Sequence, residues 1–285
     1  MTDDRALQTR LDRLRDLCAG DGRQLDVLEA GLALSAARSE EPLDLAPFRQ
    51  HAAAMASDLA DLVRRRGASP EGLAEIIARS YAYRGDTESY DDLQNADLVR
   101  VMERRKGLPV ALSILYLHVA RAQGWLAEGL GFPGHFLIRI GIGSSREDGA
   151  RHVVDPFHDG AVRDAADLRE LLRKVLGPEV ELQPQYFDPV SDRDVLLRLE
   201  NNIRLRLAKK ADWPGAAQSL ERMLAIAPDR PELLFEAGQL HARLDKRRAA
   251  IAAFQRFLDL EGEGGDPALR QHASALLQEL RRGLN

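Results

Sequence analysis

The sequence predicts an α+β domain, helical at its start with a small antiparallel sheet on a buried central helix, followed by an all-α module. Three observations lead there. Apolar residues recur at helical spacing through the first 80 residues. From Leu126 to Val154 the pattern shortens to strand-like runs between Gly-rich turns. Beyond Ala216 small and bulky residues recur at a 34-residue offset. With 285 residues, the chain is long enough for two ordinary domains.

The helices begin at Asp3–Leu17, where leucines 7, 11, 14 and 17 share a face and Gly20 and Gly22 follow as a stop. Leu25–Ala37 and Pro47–Arg66 follow, broken at Pro42 and Gly67. Ser69 is placed to cap a fourth helix, with Pro70 at its first position. Tyr81–Asp92 reads as an ordered loop and Asn95–Arg105 as helix. Val110–Gln123 is apolar on nearly every side, as a central buried helix must be, and Gly124 ends it. Leu126–Gly131, Phe136–Ile142 and His152–Val154 read as adjacent strands, with a polar turn over Gly141–Gly149. Ala165–Leu176 returns to helix, closed by Gly177 and Pro178.

Two prolines and few apolar residues between Gln183 and Asp192 mark a linker, set at 186–193. The first domain is then 1–185 and the second 194–285. In the second, Ala216, Leu220, Met223 and Leu224 map onto Ala250, Phe254, Phe257 and Leu258. That is tetratricopeptide spacing, with units at about 197–230 and 231–264 and a capping helix over Pro267–Leu284. Such repeats imply a protein or peptide partner.

Composition sets limits on function. The chain is 45% apolar and 30% charged, with a net charge of −5 and no face rich in Lys and Arg. A general nucleic-acid or anionic-membrane binder is not expected. The basic trios Arg64–Arg66 and Arg104–Lys106 read as solvated helix ends. The single Cys18 permits no intrachain disulfide and reads as a small buried packing residue. Met1–Arg10 lacks the apolar core of a secretory signal, so the cytoplasm is expected.

The chemistry concentrates between Lys106 and Gly160. A thiol acyl-transfer site needs a nucleophile at a helix N-terminus, a histidine on a neighbouring strand and a carboxylate to hold that imidazole. Here the central helix starts at Pro109, His135 starts one strand and Asp155 ends another. If those strands are antiparallel neighbours, His135 and Asp155 meet. Ser113, one turn into the helix, is a weak candidate nucleophile beside its plainer role of bonding back along the helix. His152, Asp155 and His158 are spaced by three, which puts neighbours on opposite faces of a strand. Without a turn at Pro156 they cannot converge, and neither a metal nor a cofactor is expected.

Gly107, Pro109, Gly124, His135 and Asp155 fit the spacings of the transglutaminase-like fold, a papain-like arrangement. The chain resembles more closely still a bacterial family, SirB-one, which joins such a domain to C-terminal tetratricopeptide repeats. The resemblance rests on Asn95, the run from Arg104 to Pro109, Ser113, Tyr116, Pro133–Phe136, Asp155–Phe157 and Gly160. It implies that Pro109 stands where the thiol would be, leaving His135 and Asp155 as a vestigial pair. Asn95, Arg105, Tyr116, Phe136 and Phe157 are the binding candidates. A non-catalytic interaction or regulatory protein is the expectation. The alternative is a hydrolase or acyl transferase using His135 and Asp155 with a nucleophile other than cysteine.

Overall fold

The computed structural model describes residues 2–20, 25–143, 150–262 and 265–282. The chain divides into two compact units, Met1–Leu199 and Glu200–Asn285. Gly22, the turn from residue 144 to 149, the end of the second repeat and Leu284 lie outside the described residues.

The first unit opens with helices α1 (Thr2–Leu17), α2 (Val27–Arg38), α3 (Ala46–Arg66) and α4 (Pro70–Ala74). Asp26 caps α2 through Glu29 N, and Ser69 caps α4 through Gly72 N with Pro70 behind it. The chain continues from α4 into a wider turn of π-type helix, Glu75–Ser80. A short strand β1 (Arg84–Gly85) then interrupts what the sequence reads as loop. Two residues are too few to show a period.

The helix expected from Asn95 starts three residues later, as α5 (Leu98–Arg104). Asp97 is its cap, taking Arg100 N, while residues 93–96 form a separate tight turn. Strand β2 (Lys106–Gly107) lies parallel to β1, pairing Arg84 with Lys106 and Gly85 with Gly107. Helix α6 (Pro109–Arg121) follows at once. Of its thirteen residues all but His118 and Arg121 are buried, so it runs through the core. Each fully buried aliphatic side chain there contributes about 1.5–3 kcal/mol.

The sheet contains β3 (Leu126–Leu130), β4 (Ile138–Ile142), β5 (Ala150–Asp155), β6 (Ala161–Arg163) and β7 (Pro189–Val190). Its order among the described residues is β6-β5-β4-β3-β7, and every neighbouring pair is antiparallel. Helix α7 (Ala165–Leu176) packs Leu168 and Leu172 with Leu130, Phe132 and Leu137. The linker expected at 186–193 is part of this sheet, since Pro189 and Val190 pair with Leu130 and Gly129. Proline is tolerated because β7 is an edge strand, where a missing N–H costs no central ladder bond. The compact units divide after Leu199, inside α8 (Asp192–Lys209).

Asp192 fixes the start of α8. It is 1% exposed and accepts Leu25 N and both terminal nitrogens of Arg121 at 2.8 Å.

The second unit continues with α9 (Trp213–Ile226), α10 (Pro231–Arg243), α11 (Arg247–Glu261) and α12 (Pro267–Arg282). Phe235, Phe254 and Phe257 form its aromatic core with Leu234, Ala273 and Leu277. The small residue Gly238 faces the Phe254 ring, where a Cβ would come within 2.7 Å. A buried ion pair joins Arg222 Nε to Glu200 Oε1 at 2.9 Å. No helix of the described residues is long and apolar enough to cross a membrane.

Candidate functional site

The β4–β5 pairing sets Ile138 opposite Val154, which leaves His135 and Asp155 at one end of the sheet. His135 does not start the strand. It sits in the bend before β4, where Gly134 takes a φ of +68°, a left-handed conformation that other residues adopt only with strain. His135 Nε2 lies 2.9 Å from Asp155 Oδ1. An ionised carboxylate can only accept, so Nε2 carries the hydrogen, and in the neutral ring Nδ1 keeps a free lone pair. A general base needs that tautomer.

Asp155 is completely buried and heavily bonded. Oδ1 also accepts the backbone N–H of Phe157 and His158, at 3.2 and 3.3 Å. Oδ2 accepts His158 Nδ1 at 2.7 Å and Arg163 Nε and Nη2 at 3.2 and 3.0 Å. Burial pushes the Asp155 carboxyl up. The hydrogen bond and charge of His135, followed by His158, outweigh it and hold the carboxyl well below the usual carboxylate range.

The turn that the sequence leaves in question at Pro156 is present, as a tight turn over Pro156–His158. It swings His158 back onto Asp155. His152 instead pairs across the ladder with Ile140. Arg163 reaches Asp155 because β6 folds back on β5 with Ala161 opposite Asp155.

Phe157 links this cluster to the front of α6. Its ring lies 6.2 Å from the His135 ring and 5.8 Å from that of Tyr90. It rests on Gly85, where a Cβ would come within 2.5 Å of Phe157 O and 2.6 Å of its ring. Gly85 pairs with Gly107, two residues before Pro109. The start of α6 is fixed from another side by Leu108 N, which donates to Asn95 O at 2.9 Å.

The other candidates distribute differently. Asn95 is fully buried; its amide donates to Ser89 O and its Oδ1 accepts Arg104, so it holds the preceding loop. That loop is also tied by Asp86, which takes Ser89, Arg104 and Lys106. Arg105 has a positive φ of 59° and spends its guanidinium on Tyr83 and His51. Phe136 is 5% exposed and packs over Gly129, with the Arg198 guanidinium 5.5 Å from its ring centroid. Ser113 is fully buried and donates to Pro109 O at 2.8 Å. Burial pushes the Cys18 thiol up to about 11. Sequence reasoning missed Tyr90 and Arg163; the reversal around Gly160 was the available signal for Arg163.

Tyr116 sits two turns into α6, buried beside Gly160, and its hydroxyl has no hydrogen-bond partner among the described residues. A buried hydroxyl without a partner costs about 1–3 kcal/mol. Tyr116→Phe is therefore expected to raise stability by about 1 kcal/mol, read as a higher urea midpoint at unchanged slope.

A buried central helix, an antiparallel sheet with a His–Asp pair at one end of its inner strands and a following set of helical repeats define a papain-like domain joined to a repeat module. The comparisons agree. Residues 47–201 match the transglutaminase-like superfamily and residues 203–278 the tetratricopeptide repeat. The chain belongs to the transglutaminase-like superfamily. A UPF0162 protein of Xylella fastidiosa (strain Temecula1) is 34% identical over 187 residues, covering 65% of this chain and 65% of that protein, just under two thirds. A UPF0162 protein of Vibrio cholerae is 27% identical over 247 residues, 86% of this chain and 89% of that one. Protein SirB1 of Salmonella typhimurium is 23% identical over 192 residues, 66% of this chain and 70% of its own length.

Proposed function

We propose that this chain is a non-catalytic binding protein, in which the His135–Asp155 cleft holds an acyl, amide or anionic group and the repeats take a protein partner. One observation carries the reading. Pro109 opens α6 at the position that the family resemblance gives to the thiol, while the His135 imidazole is held in place by Asp155. Proline suits a first helical turn and has no nucleophilic atom. Ser113 supports the reading too, because its hydroxyl is sealed in the core and bonded back to Pro109 O. The aromatic surroundings of His135, Phe157 and half-exposed Tyr90, suit an apolar group on the ligand. Tetratricopeptide repeats mediate protein–protein contacts, which supports a partner on the second unit. We place the protein in the cytoplasm.

Cysteine- and serine-directed probes test this. Native wild type is expected to label no faster than the His135→Ala variant. Pro109→Cys is expected to gain a probe-reactive thiol with a pKa below the ordinary value of about 8.5, through the helix N-terminus and His135. Labelling of wild type that depends on His135 would refute the non-catalytic reading. An ordinary thiol pKa in Pro109→Cys would refute the placement of α6 against His135.

A further inference from the structure

Orienting His135 takes one carboxylate oxygen, yet Asp155 also holds a second imidazole. His158 is not needed for the cleft, and its side chain is 48% exposed while the carboxylate it grips is completely buried. One ring nitrogen each of His135 and His158 and a carboxylate oxygen of Asp155 all lie within 4.8 Å of one another, and Nε2 of His135 and Nδ1 of His158 are the nitrogens that face the carboxylate. Two imidazole nitrogens and one carboxylate oxygen are the donor set of a three-ligand zinc site.

We propose that His135, Asp155 and His158 form a binding site for a divalent transition-metal ion of the zinc type. A metal–nitrogen or metal–oxygen bond of about 2.0–2.2 Å puts bound donors about 3–3.5 Å apart, so the site closes with small shifts. His158 supplies most of the movement, since it lies at the surface on a short turn. Each ring turns its hydrogen to the outward nitrogen, Nδ1 of His135 and Nε2 of His158, and presents the inward lone pair to the ion. The shell that steadies a ligating carboxylate is already present in the N–H groups of Phe157 and His158 and the Arg163 guanidinium. Arg163 also sets a limit. Its positive charge against Oδ2 lowers the affinity of the site for a cation. The exposed edge of His158 is the entry path.

The proposal does not depend on the non-catalytic reading, because an ion can be held whether or not Pro109 is inert. The full-length protein, freed of metal with a chelator, is titrated with Zn²⁺ by calorimetry and with Co²⁺ by visible absorption. One equivalent is expected, with the cobalt spectrum of a low-coordinate nitrogen–oxygen site. His158→Gln is the principal variant, since its side chain is half exposed, and a urea midpoint for the variant accompanies the titration to show that it is folded. It is expected to weaken binding at least about tenfold, as is His135→Gln, because loss of a direct ligand exceeds the effect of losing an outer partner. His152→Gln, whose imidazole lies outside the cluster, is expected to bind as wild type does. Absence of a stoichiometric equivalent in wild type would overturn the proposal. So would equal affinity in wild type and His158→Gln, or weakening by His152→Gln as great as that by His158→Gln.

Discussion

Replacing Asp155 with alanine is expected to destabilise the first unit by about 3–5 kcal/mol, the range for removing one member of a buried ionic cluster. The carboxylate accepts six hydrogen bonds, from His135, His158, Arg163 and two backbone N–H groups. Alanine removes the shared acceptor of all these donors, of which His158 alone has ready access to water in exchange. Asp155→Asn should cost less, because the amide oxygen still accepts, but its NH₂ faces donors. Urea denaturation measures both, and a loss below about 1 kcal/mol for Asp155→Ala would contradict the structure.

The pH dependence has a definite sign. The folded Asp155 carboxyl lies below its unfolded value, so in acid the unfolded chain binds the extra proton. The stabilisation from the ionised group is fully present above the ordinary carboxylate pKa of about 3.9 and is lost as pH falls below it toward the folded value. Asp155→Asn should flatten that limb of the curve.

The second large effect lies in the repeat unit. Glu200 and Arg222 are 0% and 4% exposed, and the guanidinium also donates to Ser219 Oγ at 3.2 Å. Glu200→Ala is expected to cost about 3–5 kcal/mol by leaving the arginine charge buried without its carboxylate. For a unit of this size the melting temperature should fall by more than about 10 °C. The double variant Glu200→Met, Arg222→Met tests the cause. If the penalty comes from an uncompensated charge, two apolar chains of similar volume recover most of the loss. If the double variant is as unstable as the single one, the pair matters for packing and not for charge.

Long, strongly periodic elements were legible in the sequence, and so was the meeting of His135 with Asp155. Chain order and the strand runs either side of the 141–149 turn were enough to bring those two together. What escaped depends on register and on short segments. Arg163 reaches Asp155 through the β5–β6 pairing, and Asp159 and Gly160, both at positive φ, make the reversal. His158 joins the cluster through three residues of tight helix, where strand alternation no longer applies. Asn95 and Arg105 stood in a matching motif, but their side chains hold the scaffold around α6. Prolines 184 and 189 suggested a linker because composition does not distinguish a free segment from an edge strand.

That edge strand also affects the order in which the protein is made. β3 emerges from a ribosome some sixty residues ahead of its partner β7. Until Val190 appears, one border of the sheet carries bare amide and carbonyl groups, the kind of edge that invites pairing with another chain. The end of that border at Gly129 and Leu130 therefore stays open through much of the first unit's synthesis and is covered only once 189–190 have emerged.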